Sequence, residues 1–470
     1  MKMYIAGEWT YGSDTREVRS PFDGSVVDTI PWATTDEVEA ALASAVRGAK
    51  AMAALPASRR SAILLRTAAL LRERAEDFAQ ILTREMGKVI AESRGEVGRA
   101  VETLTISAEE AKRICGETVP LDAAPGVEGK FGLTIRIPCG VVLAITPFNF
   151  PLNLVAHKVG PAIAAGNAVI VKPASDTPLS ALKLIELLLE AGLPAEGIQC
   201  ITGSGGGVGS QLCSDTRVRK ISFTGSRDVG ETITKMAGLK KITMELGSNS
   251  PLIVMPDANV EKVAAATAAT GYTNAGQSCI STQRVLVDRR VYADFLDAVT
   301  PLVEAISAGD PFDESVRVGP MIREAEAVRV GTWIAEAVEG GARVMVGGGE
   351  GWGAVYQPTL VADVDPSLRV SREELFGPAV VVTEFDGLDE AITLANESQY
   401  GLGAGIFTEN IHHAMEFVRR MESGNLMINW APNWRADLMP YGGLKDSGMG
   451  KEGPKYAVQE MTELKMVVFH

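Results

Sequence analysis

Between residues 140 and 246 the chain alternates short apolar runs with longer stretches of helical periodicity, a pattern that few folds accept. The runs lie at 141–145, 168–171, 198–201, 220–223 and 242–244, with helix-like segments at 152–165, 178–191, 207–214 and 229–237. Several of these helices close on glycine, at Gly166, Gly192 and Gly238, the residue that most readily takes the left-handed turn ending a helix. Strands that read as continuous apolar runs are buried on both faces, so the segment predicts a doubly wound parallel sheet.

A second alternating region spans about 251–430. Strands are predicted at 252–254, 284–287, 343–346, 380–385 and 426–428, and helices at 260–273, 291–306, 324–339 and 411–421. The first third reads as mostly helical. Thr35 is positioned to cap a helix that ends near Pro56, a second helix starts near Ser58, and a third runs from about Val89 to Ile114. Residues 120–138 read as a strand excursion, and the alternating tail 463–469 is a candidate partner for 131–137.

A length of 470 residues exceeds one simple core and implies two or three domains. The net charge of −14 disfavours nucleic acid and anionic membranes as partners. Five cysteines without a CxxC spacing argue against zinc and against a disulfide framework. The start, Met1 to Trp9, lacks the pattern of a signal peptide, and no apolar run approaches the ~18 residues of a membrane span. A cytoplasmic setting is expected.

In an open parallel sheet, ligands bind beyond the carboxyl ends of the strands. Here those ends carry unusual residues. Ile145 leads into Thr146-Pro147-Phe148-Asn149-Phe150-Pro151, and the second strand into Lys172-Pro173-Ala174-Ser175. The third precedes Gly203-Ser204-Gly205-Gly206-Gly207, the fourth ends in Phe223-Thr224-Gly225-Ser226, and the fifth in Glu245-Leu246-Gly247. The spacing Gly203-x-Gly205-x-x-x-Gly209 departs from the dinucleotide fingerprint. Gly225-Ser226, opening a helix, suits a pyrophosphate better, because the free N–H groups and the helix dipole favour an anion; plain capping by Ser226 is the alternative. Cys279 sits among small and polar residues in Gly276-Gln277-Ser278-Cys279, unlike the other four cysteines, which read as buried apolar residues. A thiolate there can attack an aldehyde carbon.

Five ordered motifs resemble the aldehyde dehydrogenase superfamily: Pro147–Pro151, Phe223–Ser226, Met244–Gly247, Gly276–Cys279 and Glu374-Leu375-Phe376-Gly377-Pro378. The likeness runs from Ala6-Gly7-Glu8-Trp9 to Gly442-Gly443-Leu444-Lys445. It implies an α/β fold with a Rossmann-type, doubly wound cofactor domain (1–119 and 139–247), an α/β catalytic domain (248–440) and a small β oligomerisation extension (120–138 and 441–470). It also implies a homodimer or homotetramer.

The resemblance further implies roles. Cys279 is the expected nucleophile, Asn149 an oxyanion donor, and Glu245 the base that activates water against a thioester. Glu374 would hold the nicotinamide ribose with Phe376 beside it, and Lys172 the adenosine ribose. Ile145, Thr146, Pro147, Phe148, Ala174, Ser175, Gly205, Gly209, Phe223, Thr224, Gly225, Ser226 and Leu246 complete the expected cofactor contacts. The expected cofactor is NADP and/or NAD. Many NAD-preferring members carry a glutamate at the place of Ser175; its carboxylate would repel a 2′-phosphate, whereas Ser175 with Lys172 can accept one. Asp176 works against that preference. Position 148 is Phe where many members have Trp, and position 248 is Ser where a second glycine is common.

Residues 147–162 resemble a subgroup including non-phosphorylating glyceraldehyde-3-phosphate, lactaldehyde, sulfo- or phosphono-aldehyde and succinate semialdehyde dehydrogenases. The expected activity is NAD(P)-dependent oxidation of a short, anionic or hydroxylated aldehyde to its carboxylate, with a succinate-semialdehyde type as the alternative. Arg99, His157 and Arg435 are the candidate anion holders; for Arg99 a surface ion pair is the competing reading. Ser278, where phosphate-binding members often have arginine, argues against a strict phosphate requirement, and Arg284 reads as structural. A cysteine hydrolase using one of four histidines would leave the strand-end motifs unexplained, and the intact Asn149, Glu245, Cys279 and Glu374 speak against a non-catalytic nucleotide-binding protein.

Overall fold

The computed structural model describes residues 1–349 and 351–470. Its first sheet has eight strands, in the spatial order Glu8–Thr10, Met3–Ile5, Ile198–Cys200, Ala168–Lys172, Val141–Ile145, Val218–Thr224, Lys241–Glu245 and Gly448–Met449. The five central strands are parallel. The chain runs outward from Val141–Ile145 in one direction and then restarts on its other side at Val218–Thr224. The carboxyl ends of these two neighbours therefore border the crevice where the winding reverses.

The apolar runs bury both faces. Val142 and Ala144 join one core with helices Ala57–Glu73, Ile90–Glu110, Asn153–Ala165 and Leu179–Glu190. Val141, Leu143 and Ile145 alternate onto the opposite core, under helices Thr35–Ala54 and Arg227–Ala237. The second sheet has seven strands, ordered Arg343–Val346, Thr359–Ala362, Ala379–Phe385, Arg284–Asp288, Pro251–Val254, Gly403–Phe407 and Asn425–Ile428. Only the Arg343–Val346 edge is antiparallel. A third sheet pairs Thr462–Phe469 with Phe131–Pro138 along its whole length, in the register Thr462↔Pro138 to Phe469↔Phe131, and adds Thr118–Val119. The stretch before it does something different: Gly448–Met449 closes the edge of the first sheet beside Lys241–Glu245.

Several details differ from expectation. The first helix is capped by Thr34, not Thr35: the Thr34 side chain accepts from the Glu37 N–H and the Glu37 carboxylate accepts from the Thr34 N–H. The first third also contains four short strands, Met3–Ile5, Glu8–Thr10, Asp14–Arg19 and Val26–Trp32, and a separate helix, Ala75–Met86. Cys115 is exposed and Cys139 only half-buried; Cys200 and Cys213 are buried. Arg284 is structural, its buried guanidinium donating to the carbonyls of Leu394 and Ala395 at the end of helix Leu388–Asn396. Among the described residues no helix is long and apolar enough to cross a membrane, and no cluster of ligating side chains could hold a metal.

Candidate active site

Cys279 stands on the loop between helix Val260–Thr270 and strand Arg284–Asp288. The loop is shaped by Asn274 and Ala275, both at φ 54°, and by Gly276 at φ 69°. Gly276 cannot be replaced: a Cβ there would lie 1.9 Å from the Gly377 carbonyl oxygen. That close approach joins the Cys279 loop to the Glu374–Pro378 loop. Gln277 fixes the loop further, accepting from the Ile322 N–H at 2.9 Å and donating to the Asn274 carbonyl at 3.1 Å.

Asn149 arrives from the switch-point strand. Its side-chain nitrogen donates to the Gln277 carbonyl at 3.0 Å, which leaves its second N–H uncommitted. Its own carbonyl accepts from the Asn274 amide at 3.0 Å and from Lys88 at 2.9 Å. Lys88 is buried, paired with Glu96, and lies 3.9 Å from the Phe150 ring centre. Glu96 in turn accepts from the N–H groups of Leu152 and Asn153, both at 3.0 Å, and so caps the helix that follows Asn149.

The Cys279 sulfur makes a hydrogen bond of 3.0 Å with the Tyr441 hydroxyl. Burial pushes the thiol up to about 12, and the Tyr441 hydrogen bond acts against that rise. Glu245 meets the same turn, since a Cβ on Gly442 would lie 2.7 Å from its Oε1. Both Glu245 oxygens are buried without a hydrogen-bond partner. Burial, then the charge of Glu452, raises the Glu245 carboxyl well above the usual range. Burial also acts to raise Glu452, but Lys158 at 2.6 Å and Arg435 at 3.2 Å outweigh it and hold Glu452 ionised. Thus Asn149, Glu245 and Cys279, predicted from three separate loops, share one small region.

The three candidate anion holders also converge, through Asp437. Arg99 bonds Asp437 with two nitrogens, at 2.8 and 3.2 Å, and the His157 Nε2 lies 2.8 Å from the same carboxylate. Arg435 is 3.1 Å from His157 and stacks on the Tyr441 ring at 4.0 Å. The Nε of Arg435 is buried and unpartnered. Burial, helped by Arg435, lowers His157 to about 4, so its ring is neutral at pH 7. The ion pair foreseen as the alternative for Arg99 is therefore present, but its partner lies inside the site.

Along the sheet edge, the Ser226 side chain makes no capping bond, which leaves the first-turn N–H groups of helix Arg227–Ala237 free to face an anion. Gly225 and Phe223 are in contact, and Leu246 packs against Gly230. Thr146 Oγ1 is buried without a partner beside Ile145, Pro147 and Phe148. Thr224 faces the other way and accepts from Lys158 at 2.7 Å. Lys172 is buried, which lowers its ammonium group to about 8, and it points toward Gly209. Gly205 and Gly209 bound a π-helical turn capped by Ser204. Ser175 bonds the Gly203 carbonyl at 3.3 Å, next to Ala174. Asp176 is neutralised by Arg323, at 2.6 Å. Glu374 accepts from the Ser248 N–H at 2.9 Å and presses on Gly247, and Phe376, at φ 49°, meets Phe148 edge-on at 5.9 Å. Burial lifts Glu374 to about 7.

Sequence reading missed Tyr441, Asp437, Lys158, Glu452, Lys88 and Glu96. Tyr441 had a signal, since it directly precedes the Gly442-Gly443 motif. The others pair with residues distant in sequence or across a turn, and nothing local marks them.

Residues 9–467 match the model of the aldehyde dehydrogenase family. The chain is 48% identical over 468 residues to a 3-sulfolactaldehyde dehydrogenase of Priestia aryabhattai, covering 100% of this chain and 98% of the relative. Among solved structures it superposes with a TM-score of 0.96 on an aldehyde dehydrogenase of Physcomitrella patens in complex with the reaction product succinate, at 39% identity, covering 100% and 98% of the two chains. It superposes with a TM-score of 0.97 on the NADP-dependent glyceraldehyde-3-phosphate dehydrogenase of Bacillus halodurans C-125 complexed with NADP, at 34% identity, covering 100% and 99%.

Proposed function

Since the chain belongs to the aldehyde dehydrogenase family and is an NAD(P)-dependent aldehyde dehydrogenase, we propose that it oxidises a short aldehyde bearing an anionic group, using Cys279 as nucleophile, Asn149 as oxyanion donor and Glu245 as base. The observation that carries this reading is the meeting of three groups at one turn: the thiol on Tyr441, the unpartnered carboxyl of Glu245 on Gly442, and Arg435 stacked over Tyr441. The three relatives described above act on, or hold, compounds with a sulfonate, a carboxylate and a phosphate. An anion subsite at Arg435, with Arg99 and His157 behind it, suits that shared chemistry.

The residues fit a dinucleotide. The uncapped helix at Ser226, the glycine at 247 against Glu374, and the buried free hydroxyl of Thr146 form a cradle that a larger side chain would fill. Lys172 and Ser175 would hold the adenosine end, and the neutralised Asp176 leaves room for a 2′-phosphate, which favours NADP. When bound, the cofactor supplies the hydride acceptor.

Attack by the Cys279 sulfur turns the aldehyde oxygen into an oxyanion, which the free Asn149 N–H and the Cys279 backbone N–H hold. Oxidation leaves a thioester on Cys279. Glu245, kept proton-hungry by burial and by Glu452, then takes a proton from the attacking water, and the acid is released. A hydrolase reading finds no support at the sulfur: its bond goes to Tyr441, while His157 is held by Asp437. The homologous fold and the paired 131–138 and 462–469 strands support a homodimer or homotetramer built on that small sheet.

Rapid mixing with aldehyde and NADP tests the assignment. Cys279→Ala should bind cofactor and form no reduced cofactor. Glu245→Gln should give one rapid turnover and then stall. Steady turnover by Cys279→Ala, or an unchanged steady state in Glu245→Gln, would overturn it.

A further inference from the structure

Among the described residues the Cys279 sulfur has one hydrogen-bond partner, and that partner is neither a histidine nor a backbone amide but the phenol of Tyr441. Tyr441 is 2% exposed, and its ring packs with Ile280, Leu402 and Met439 on one side of the nucleophile. The guanidinium of Arg435 lies 4.0 Å from the ring centre on another side. We propose that Tyr441 is a catalytic residue whose O–H donates to the Cys279 thiolate, with Arg435 polarising the phenol from above its ring.

This proposal rests on Cys279 being the nucleophile, and it adds a group that the assigned roles do not include. The physical need is plain. A buried thiolate requires a donor, and the two carboxyl groups facing the pair, Glu374 and Glu245, disfavour it, while Arg435 favours it. Burial, then the charge of Cys279, hold the Tyr441 phenol well above its ordinary value, so it keeps its proton and remains a donor throughout. On ionisation the thiol proton leaves to solvent; Tyr441 transfers none. When sulfur becomes bonded to carbon it no longer carries the charge, and the phenol O–H is freed to turn toward the substrate oxygen or its anion.

Hydrogen bonds to charged groups move an ionisation by about one to two pH units. Losing this one cuts the thiolate fraction about 10- to 100-fold, while the more basic sulfur regains roughly half of that on a logarithmic scale. The net expectation for Tyr441→Phe is alkylation slower by about 3- to 10-fold.

The test is the rate of iodoacetamide labelling from pH 7 to 10 on the intact protein, with the labelled cysteine identified by peptide mass. The thiolate displaces iodide and a C–S bond forms, so the rate follows thiolate supply directly. Tyr441→Phe keeps the ring, its packing and the stacking on Arg435, so a purely steric role predicts no change. The expected result is the same slowing at every pH, with an unchanged unfolding midpoint and a matching loss in kcat/KM for aldehyde. Equal or faster labelling of Cys279 in Tyr441→Phe overturns the role of Tyr441. If instead Cys279 carries the label and turnover survives it, the assignment of the nucleophile fails, a separate and distinguishable outcome.

Discussion

Lys88→Met tests how Asn149 is held in place. Lys88 and Glu96 are each 1% exposed at their side chains and form a buried ion pair. The ammonium group also donates to the Asn149 carbonyl at 2.9 Å and rests on Phe150. Removing one partner of a buried pair costs about 3–5 kcal/mol, because the other charge stays behind uncompensated. Glu96 keeps the N–H groups of Leu152 and Asn153, so the lower end, about 3 kcal/mol, applies. With a urea dependence near 3 kcal/mol per molar, the midpoint of the transition reporting this domain should fall by about 1 M. Asn149 would also lose a fixed carbonyl, and a shift of about 1 Å in a reacting group can lower kcat by roughly 100-fold. Lys88→Met/Glu96→Gln removes the stranded charge yet keeps an acceptor for both N–H groups, so it should recover most of the stability while kcat stays low. A single variant within ~0.5 kcal/mol of the parent, or a double variant no better than the single, would refute the charge argument.

Two further perturbations follow from the same geometry. His157 is fully buried and its folded value of about 4 lies below the ordinary 6.5. The folded state therefore binds fewer protons between those values, and stability present above pH 6.5 is lost as pH falls through 4, by about 3 kcal/mol for one group. Denaturation of His157→Asn against the parent at pH 7.5 and pH 4 should show the parent's relative stability dropping by about that amount; parallel curves would remove the buried neutral ring from the account. Ser175→Glu places a carboxylate at the adenosine end, where repulsion of a 2′-phosphate should cost NADP at least ~2 kcal/mol, or roughly 30-fold in kcat/KM, and leave NAD unharmed; an unchanged NADP-to-NAD ratio would dismiss Ser175 as a determinant.

The sheet order explains which parts of the site were legible. Once Val141–Ile145 and Val218–Thr224 are neighbours in a parallel sheet, every motif after a strand must lie on the same edge, whatever the loops do. That is why Asn149, Lys172, Gly225 and Glu245 could be grouped without coordinates. Other features depend on contacts that no period records. Met3–Ile5 and Glu8–Thr10 have three residues each, too short for alternation to show, and exist because Ile198–Cys200 offers them an edge. Lys88 and Glu96 are eight apart and meet only because Gly87 turns the chain at φ 77° between two helices. Lys158 and Glu452 are brought together across 294 positions of sequence. What separates Tyr441 from a packing aromatic is its 3.0 Å contact with sulfur.

The charges around Arg435 bear on which anion the pocket takes. Arg99, Asp437, His157, Arg435, Glu452 and Lys158 form one connected network. His157 is neutral, so three cations stand against two carboxylates, leaving one net positive charge in a region where burial makes uncompensated charge expensive. A carboxylate or sulfonate cancels it. A phosphate monoester near pH 8 brings about two negative charges and leaves one in excess, close to the carboxyl that must later accept a proton. Ser278 supplies no further cation next to the nucleophile. Aldehydes of equal length ending in carboxylate, sulfonate or phosphate should therefore rank with phosphate at least ~10-fold lower in kcat/KM at pH 8, each 1.4 kcal/mol of uncompensated charge being tenfold. Near pH 6, where the phosphate takes up its second proton, the gap should narrow. A phosphate substrate equal to the others at pH 8, or a gap that ignores pH, would mean that the network is not what meets the anion.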